Sequence, residues 1–203
     1  MKTITIFHFK KNSLVKASLV IIFLFTVFFV ESGSAQNEDL SPNFYLTSKS
    51  YTYKGWLLNN GKRVSLINNK YNEQEINKNY EIPNNYESIR YKLNNHDSFI
   101  KSINSVFTPE EILILAECEE FVGVGFSLDQ EGQILLISFM IINESKISID
   151  QIEELEKALL ANITFTPLTT YDKKVQGYVY IRASFKEILA GEIPRLRKQE
   201  NLK

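Results

Sequence analysis

The stretch "FVGVGFSLDQEGQILLISFMII", residues 121–142, constrains the fold more than any other part of the chain. From Phe121 to Leu128, bulky residues at the even positions (Val122, Val124, Phe126, Leu128) alternate with Phe121, Gly123, Gly125 and Ser127. Period two with one bulky and one small face is a strand, and the small face predicts close approach of a helix or another backbone. "DQEG" supplies polar residues and a glycine for a turn. Ile134–Ile142 is apolar at nearly every position, as in a central strand covered on both faces. The stretch therefore reads as two core strands and a hairpin, with Asp129 and Glu131 at its tip rather than at an active-site rim.

Helices flank this pair. Residues 97–107 place Phe99, Ile100, Ile103 and Val106/Phe107 on one face behind an N-cap at Asp97. Thr108 caps a second helix, with Pro109 at its first position and Glu110 and Glu111 in its first turn. "SISIDQIEELEKALLANI" carries Ile149, Ile152, Leu155, Leu159 and Ile163 at spacings of three and four, opened by a Ser148/Gln151 capping box. Asp150, Gln151, Glu153, Glu154, Glu156 and Lys157 are assigned to its outer face. Pro167 stops it. In "GYVYIRASF", Val179, Ile181, Ala183 and Phe185 face one way and Tyr178, Tyr180 and Arg182 the other, a half-exposed strand near an edge.

The N-terminal part reads differently. Lys2, Lys10, Lys11 and Lys16 precede the apolar run "ASLVIIFLFTVFFV", and Gly33 and Ala35 set a small-residue cut before Gln36. This is the pattern of a secretory signal over residues 1–35, with an uncleaved anchor as the alternative. No Cys directly follows the run, which excludes a lipoprotein anchor. The mature chain then carries 19 basic against 23 acidic residues, which is not a nucleic-acid-binding balance. The single cysteine, Cys118, forms no internal disulfide, so an apolar core must hold the fold. Localisation in the periplasm or outside the cell follows as an expectation. After cleavage, no stable membrane insertion is expected.

Residues 36–108 form a β-rich region expected to pack on the core. "SYTYKGWLL" and "RVSLI" flank Asn60-Gly61, a strong hairpin signal. Residues 68–98 are polar and Asn-rich, and their periodicity does not separate loops with short strands from a mobile surface segment. Residues 109–190 make the core and residues 191–203 a charged tail.

The order helix, strand, Gly-containing turn, strand, amphipathic helix, Phe-x-Pro, turn, strand resembles the C-terminal domain of TonB-like envelope proteins. The matching residues are Val122–Asp129, Gly132–Gln133–Ile134, the helix from Asp150, Phe165–Thr166–Pro167, and Val175–Phe185. The segment is also similar to uncharacterised secreted proteins of gut-type Gram-negative bacteria. The resemblance covers residues 109–185 and implies an α+β fold: a small antiparallel sheet with a strand–hairpin–helix–strand core and helices packed on one face. The chain departs from TonB proteins in lacking a long Pro-rich arm, with five Pro in all, and in carrying Leu168 after Phe-x-Pro. An energy-transducing role is therefore not carried over, since fold alone does not give function.

Candidate chemistry is sparse. His96 is the only histidine after the signal and reads as a surface or capping residue. Cys118 lies among Glu117, Glu119 and Glu120, which oppose thiolate formation, and with Ile114 one turn before it reads as core. One His and one Cys build no structural zinc site, and Asp129-x-Glu131-Gly132 lacks the ligands of a calcium loop. Gly123-x-Gly125 opens no helix and is not a phosphate loop. Glu153, Glu154 and Glu156 read as a solvated helix face, with a carboxylate hydrolase of glycan or peptide as the alternative. Tyr51, Tyr53 and Trp56 read as core or cross-strand aromatics, with a sugar or small-ligand site as the alternative. No cofactor, metal or catalytic residue is assigned. The expected function is a non-catalytic envelope module that binds a protein or peptide along an edge marked by Tyr178, Tyr180 and Arg182.

Overall fold

In a computed structural model the chain is described over residues 44–81, 90–95, 97–169 and 174–192. The signal segment, His96 and the tail from residue 193 lie outside the described residues. The fold is α+β. Strands β1 (Phe44–Thr47), β2 (Thr52–Leu58), β3 (Arg63–Asn68), β5 (Phe121–Leu128), β6 (Ile134–Ile142) and β8 (Gly177–Ser184) make one antiparallel sheet in the order β1-β2-β3-β6-β5-β8. Strands β4 (Tyr91–Leu93) and β7 (Phe165–Pro167) pair separately. The helices are α1 (Glu73–Asn79), α2 (Asp97–Val106), α3 (Pro109–Glu117), α4 (Ile149–Asn162) and α5 (Phe185–Leu189).

The expected β5–β6–α4–β8 unit is present. Around it the sheet is wider than the core strands alone imply. The N-terminal hairpin buries Tyr53, Val64 and Leu66 in the core, and it does so by extending the sheet, with Val64 opposite Ile141 and Leu66 opposite Phe139. The β2–β3 turn uses left-handed Asn59, Asn60 and Gly61. Within residues 68–98 the structure places α1 and β4. Asn72 caps α1 by accepting from the Glu75 N–H at 3.2 Å, an Asn-x-x-Glu signal inside the Asn-rich run.

Hydrophobic burial sits mainly on one face. Val124, Phe126, Ile137 and Phe139 from the sheet meet Ile152, Leu155 and Leu159 of α4, all at most 1% exposed. Helix α2 lies beside α4, burying Phe99 and Ile103. At one end of the core α3 meets α5, and Phe107 packs edge-on against Phe185 at 5.2 Å. Thr108, Ser148 and Ser184 each form a full capping box. Asp97, expected as a cap, is instead the first residue of α2, and its N–H donates to Asn95 Oδ1 at 3.1 Å.

The β5–β6 turn is held by Asp129, whose Oδ1 accepts from the N–H groups of Glu131 (3.0 Å) and Gln133 (2.8 Å). Gly132 has φ +84°, and a Cβ there would meet the Phe165 carbonyl oxygen at 2.6 Å. Asp129 and Glu131 thus belong to a hairpin tip, as the sequence indicates. Leu155 has no exposed surface. Leu155→Ala is expected to lower unfolding free energy by about 2–5 kcal/mol in urea titration.

Candidate functional site

Two regions concentrate polar chemistry: a buried carboxylate pair under α4, and the outer face of the sheet near β8.

Glu153 and Glu156 overturn their sequence assignment. They are 1% and 0% exposed, not part of a solvated face; Glu154 alone of the three stays exposed. The reason is the width of the sheet. The N-terminal hairpin extends it under the flank of α4 that the narrower core would leave in water. Glu156 Oε2 accepts from Tyr53 Oη (2.6 Å) and Asn68 Nδ2 (3.0 Å), and its Oε1 from Tyr71 Oη (2.8 Å) and Lys70 Nζ (2.6 Å). Glu153 Oε1 receives Lys157 Nζ at 2.6 Å, and its Oε2 receives the Ser50 N–H at 2.9 Å and the Ser48 hydroxyl. The missed signal was spacing: Glu156 falls four residues after Ile152 and three before Leu159, inside the apolar stripe.

These contacts shape the ionisation. The Lys157 ammonium and the Ser48 hydroxyl hold the Glu153 carboxyl well below the usual carboxylate range. Burial, reinforced by the Glu156 carboxylate, pushes Tyr53 and Tyr71 far above the usual phenol value. Four donors fill the two oxygens of Glu156, so no lone pair faces a substrate. The arrangement fastens the β2–β3 hairpin to α4. A groove of ≈ 460 Å³ runs nearby past Lys49, Asp150, Gln151 and Lys157, and neither Glu153 nor Glu156 lines it.

The aromatics considered as a ligand site are divided. Tyr53 is buried against Glu156, Tyr51 lies under Lys70 at 4.6 Å, and Trp56 stands on the opposite face of β2. Cys118 is exposed at the C-cap of α3, contrary to the core assignment. The Thr108 cap fixes the helix phase so that Ile112, Leu115 and Ala116 point inward, which leaves Ile114 and Cys118 outside. The neighbouring Cys118 raises the Lys146 pKa. Among the described residues no group of three His, Cys, Asp or Glu side chains is placed to hold a metal ion.

Strand β8 ends the sheet. Tyr178, Tyr180 and Arg182 share its outer face, as the alternation indicates, but the tyrosines do not project freely. They lie back across β5. A Cβ on Gly123 or Gly125 would meet the hydroxyl of Tyr180 or Tyr178, respectively, at 2.0 Å. The small face of β5 therefore accepts two tyrosines from its neighbour strand, where the sequence suggested a helix or a backbone. Arg182 rests over the Phe121 ring, Cζ 4.2 Å from the centroid. The Phe185 N–H donates to Glu120 O, and the β5–β8 register is unbroken. By alternation, the backbone groups of Tyr178 and Arg182 are directed away from β5.

Fold and site together define an α+β protein with a mostly antiparallel six-stranded sheet, helices packed against it and an outer edge at β8. A DUF5043 family protein from Bacteroides uniformis shares this fold, with a TM-score of 0.52 over 80% of this chain and 94% of that chain, at 15% identity. That likeness is to a gut bacterial protein, and the solved neighbour is described as DUF5043 rather than as a TonB domain. No protein-family model and no curated protein matches the chain. Among the described residues, no helix is long and apolar enough to cross a membrane.

Glu156→Ala leaves the buried donors of Tyr53 and Asn68 unpaired and is expected to cost about 3–5 kcal/mol, read from chemical denaturation. Because the Glu153 pKa is depressed in the folded state, its contribution is complete above the unfolded carboxylate value of about 4.3 and is lost as pH falls toward the folded value. The urea midpoint should drop from pH 6 to pH 3, and this drop should be smaller in Glu153→Gln.

Proposed function

We propose that the chain is a non-catalytic exported envelope protein, periplasmic or extracellular, whose β8 edge takes up an extended segment of a partner protein or peptide. The observation that carries the reading is the position of β8: eight residues long, last in the sheet, with no described strand on its outer side. An edge of this length offers backbone donors and acceptors to an incoming strand. Tyr178, Tyr180 and Arg182 supply aromatic and guanidinium surface beside it, the residue types that most often anchor interfaces.

Export rests on the basic start, apolar run and small-residue cut of residues 1–35. The TonB resemblance bears on the β5–β6–α4–β8 connection and on the envelope setting, not on energy transduction. The hydrolase alternative is disfavoured because both carboxylates are buried and held from within the fold, Glu156 by four donors and Glu153 by three. The sugar-binding alternative is disfavoured because Tyr51, Tyr53 and Trp56 do not share one surface.

Tyr178→Pro removes one outward N–H from the edge, whereas Tyr178→Phe keeps the backbone intact. With both variants folded by circular dichroism, capture of a partner from envelope extract should be lost in the proline variant and retained in the phenylalanine variant. Equal capture by both removes β8 as the binding surface.

A further inference from the structure

The outer face of the sheet carries a second feature, set back from the β8 hydrogen-bonding edge. Phe121 lies on this face yet is only 5% exposed, because two guanidiniums roof it. Arg182 Cζ, from β8, is 4.2 Å from the ring centroid, and Arg63 Cζ, from β3, is 5.4 Å from the same centroid. Two like charges from strands three places apart in the sheet thus converge on one ring.

Among the described residues neither has a counter-charge. Among the described residues three cations are partly buried: Lys54, Arg63 and Arg182. Lys54 pairs with Glu73 at 3.4 Å, while the two arginines have no carboxylate partner. The outward strand positions from β2 to β8 contain no Asp or Glu at all. A guanidinium over an aromatic ring keeps planar N–H donors at its rim, suited to bidentate capture of an oxyanion. The surface beside the pair is apolar: Ile142 is opposite Arg63, and Met140 lies one residue pair further along β6.

We propose that Arg63 and Arg182 form a binding site for a small carboxylate joined to an apolar body, the carboxylate held between the guanidiniums and the body lying on Ile142 and Met140. The charge pair supplies attraction and orientation. The half-covered apolar floor supplies the contact area that separates such a ligand from a simple anion. The site shares Arg182 with the proposed edge but uses its guanidinium and not the β8 backbone, so Tyr178→Pro should leave it intact.

The test is titration of the purified chain with 4-phenylbutyrate, acetate and 4-phenylbutanol, following the arginine Nε–H resonances by NMR. Saturable shifts of both arginines are expected with 4-phenylbutyrate, with affinity about tenfold weaker for acetate and for the neutral alcohol. Arg63→Gln and Arg182→Gln should each weaken 4-phenylbutyrate by about tenfold. Arg63→Lys and Arg182→Lys, which keep the charge and lose the planar fork, serve if a glutamine variant unfolds, and each should also bind more weakly than the parent. Equal affinity for the alcohol, unchanged affinity in the folded variants, or no saturation with 4-phenylbutyrate would show that the arginines only roof Phe121, and would overturn the proposal.

Discussion

The carboxylate of Glu156 is the junction on which the two halves of this chain meet. It lies in the middle of α4, with no exposed surface, and receives hydrogen bonds from β2, from the end of β3 and from the residues just after it. Apolar contact alone would let the N-terminal hairpin slide along the helix, because dispersion and burial are not directional. Four hydrogen-bond donors converging on two oxygens fix one position. The same device recurs at smaller scale. Glu120 accepts from Ser145 Oγ and the Lys146 N–H, and Asp129 from two turn amides, so each of these buried carboxylates fastens a loop. Among the described residues, the buried carboxylates of Glu120, Asp129, Glu153 and Glu156 each fix local geometry.

What was legible in the sequence follows from local rules. The β5–β6 hairpin, the caps at Thr108 and Ser148, and the apolar stripe of α4 depend on residues within a few positions of one another. What was hidden depends on distant residues. Nothing near Glu153 and Glu156 announces that a hairpin some 85–105 residues earlier supplies their donors. Cys118 lies outside the core because the Thr108 cap, and not the apolar neighbour one turn away, sets the helix phase. Helix α1 was hidden by composition, since seven mostly polar residues with no buried member carry no periodic apolar signal.

The site shows the same division. Alternation in "GYVYIRAS" places Tyr178, Tyr180 and Arg182 together on one face of an edge strand. It does not reveal that the tyrosines fold inward over glycines, nor that Arg63 joins Arg182 above Phe121. The first arises only once β5 and β8 pair, the second only once the four strands β3, β6, β5 and β8 are aligned, and neither is encoded in any contiguous segment.

The nested tyrosines also bear on how this sequence can drift. Gly123 and Gly125 leave room for phenol groups that arrive from residues 180 and 178, more than fifty positions later. A substitution that enlarges either glycine displaces its tyrosine unless the tyrosine shortens too. The two positions of each pair are coupled in inheritance. Among descendants of this chain, a bulkier residue on β5 should travel with a smaller one on β8, and comparison of sequences alone would then reveal the register of the strands.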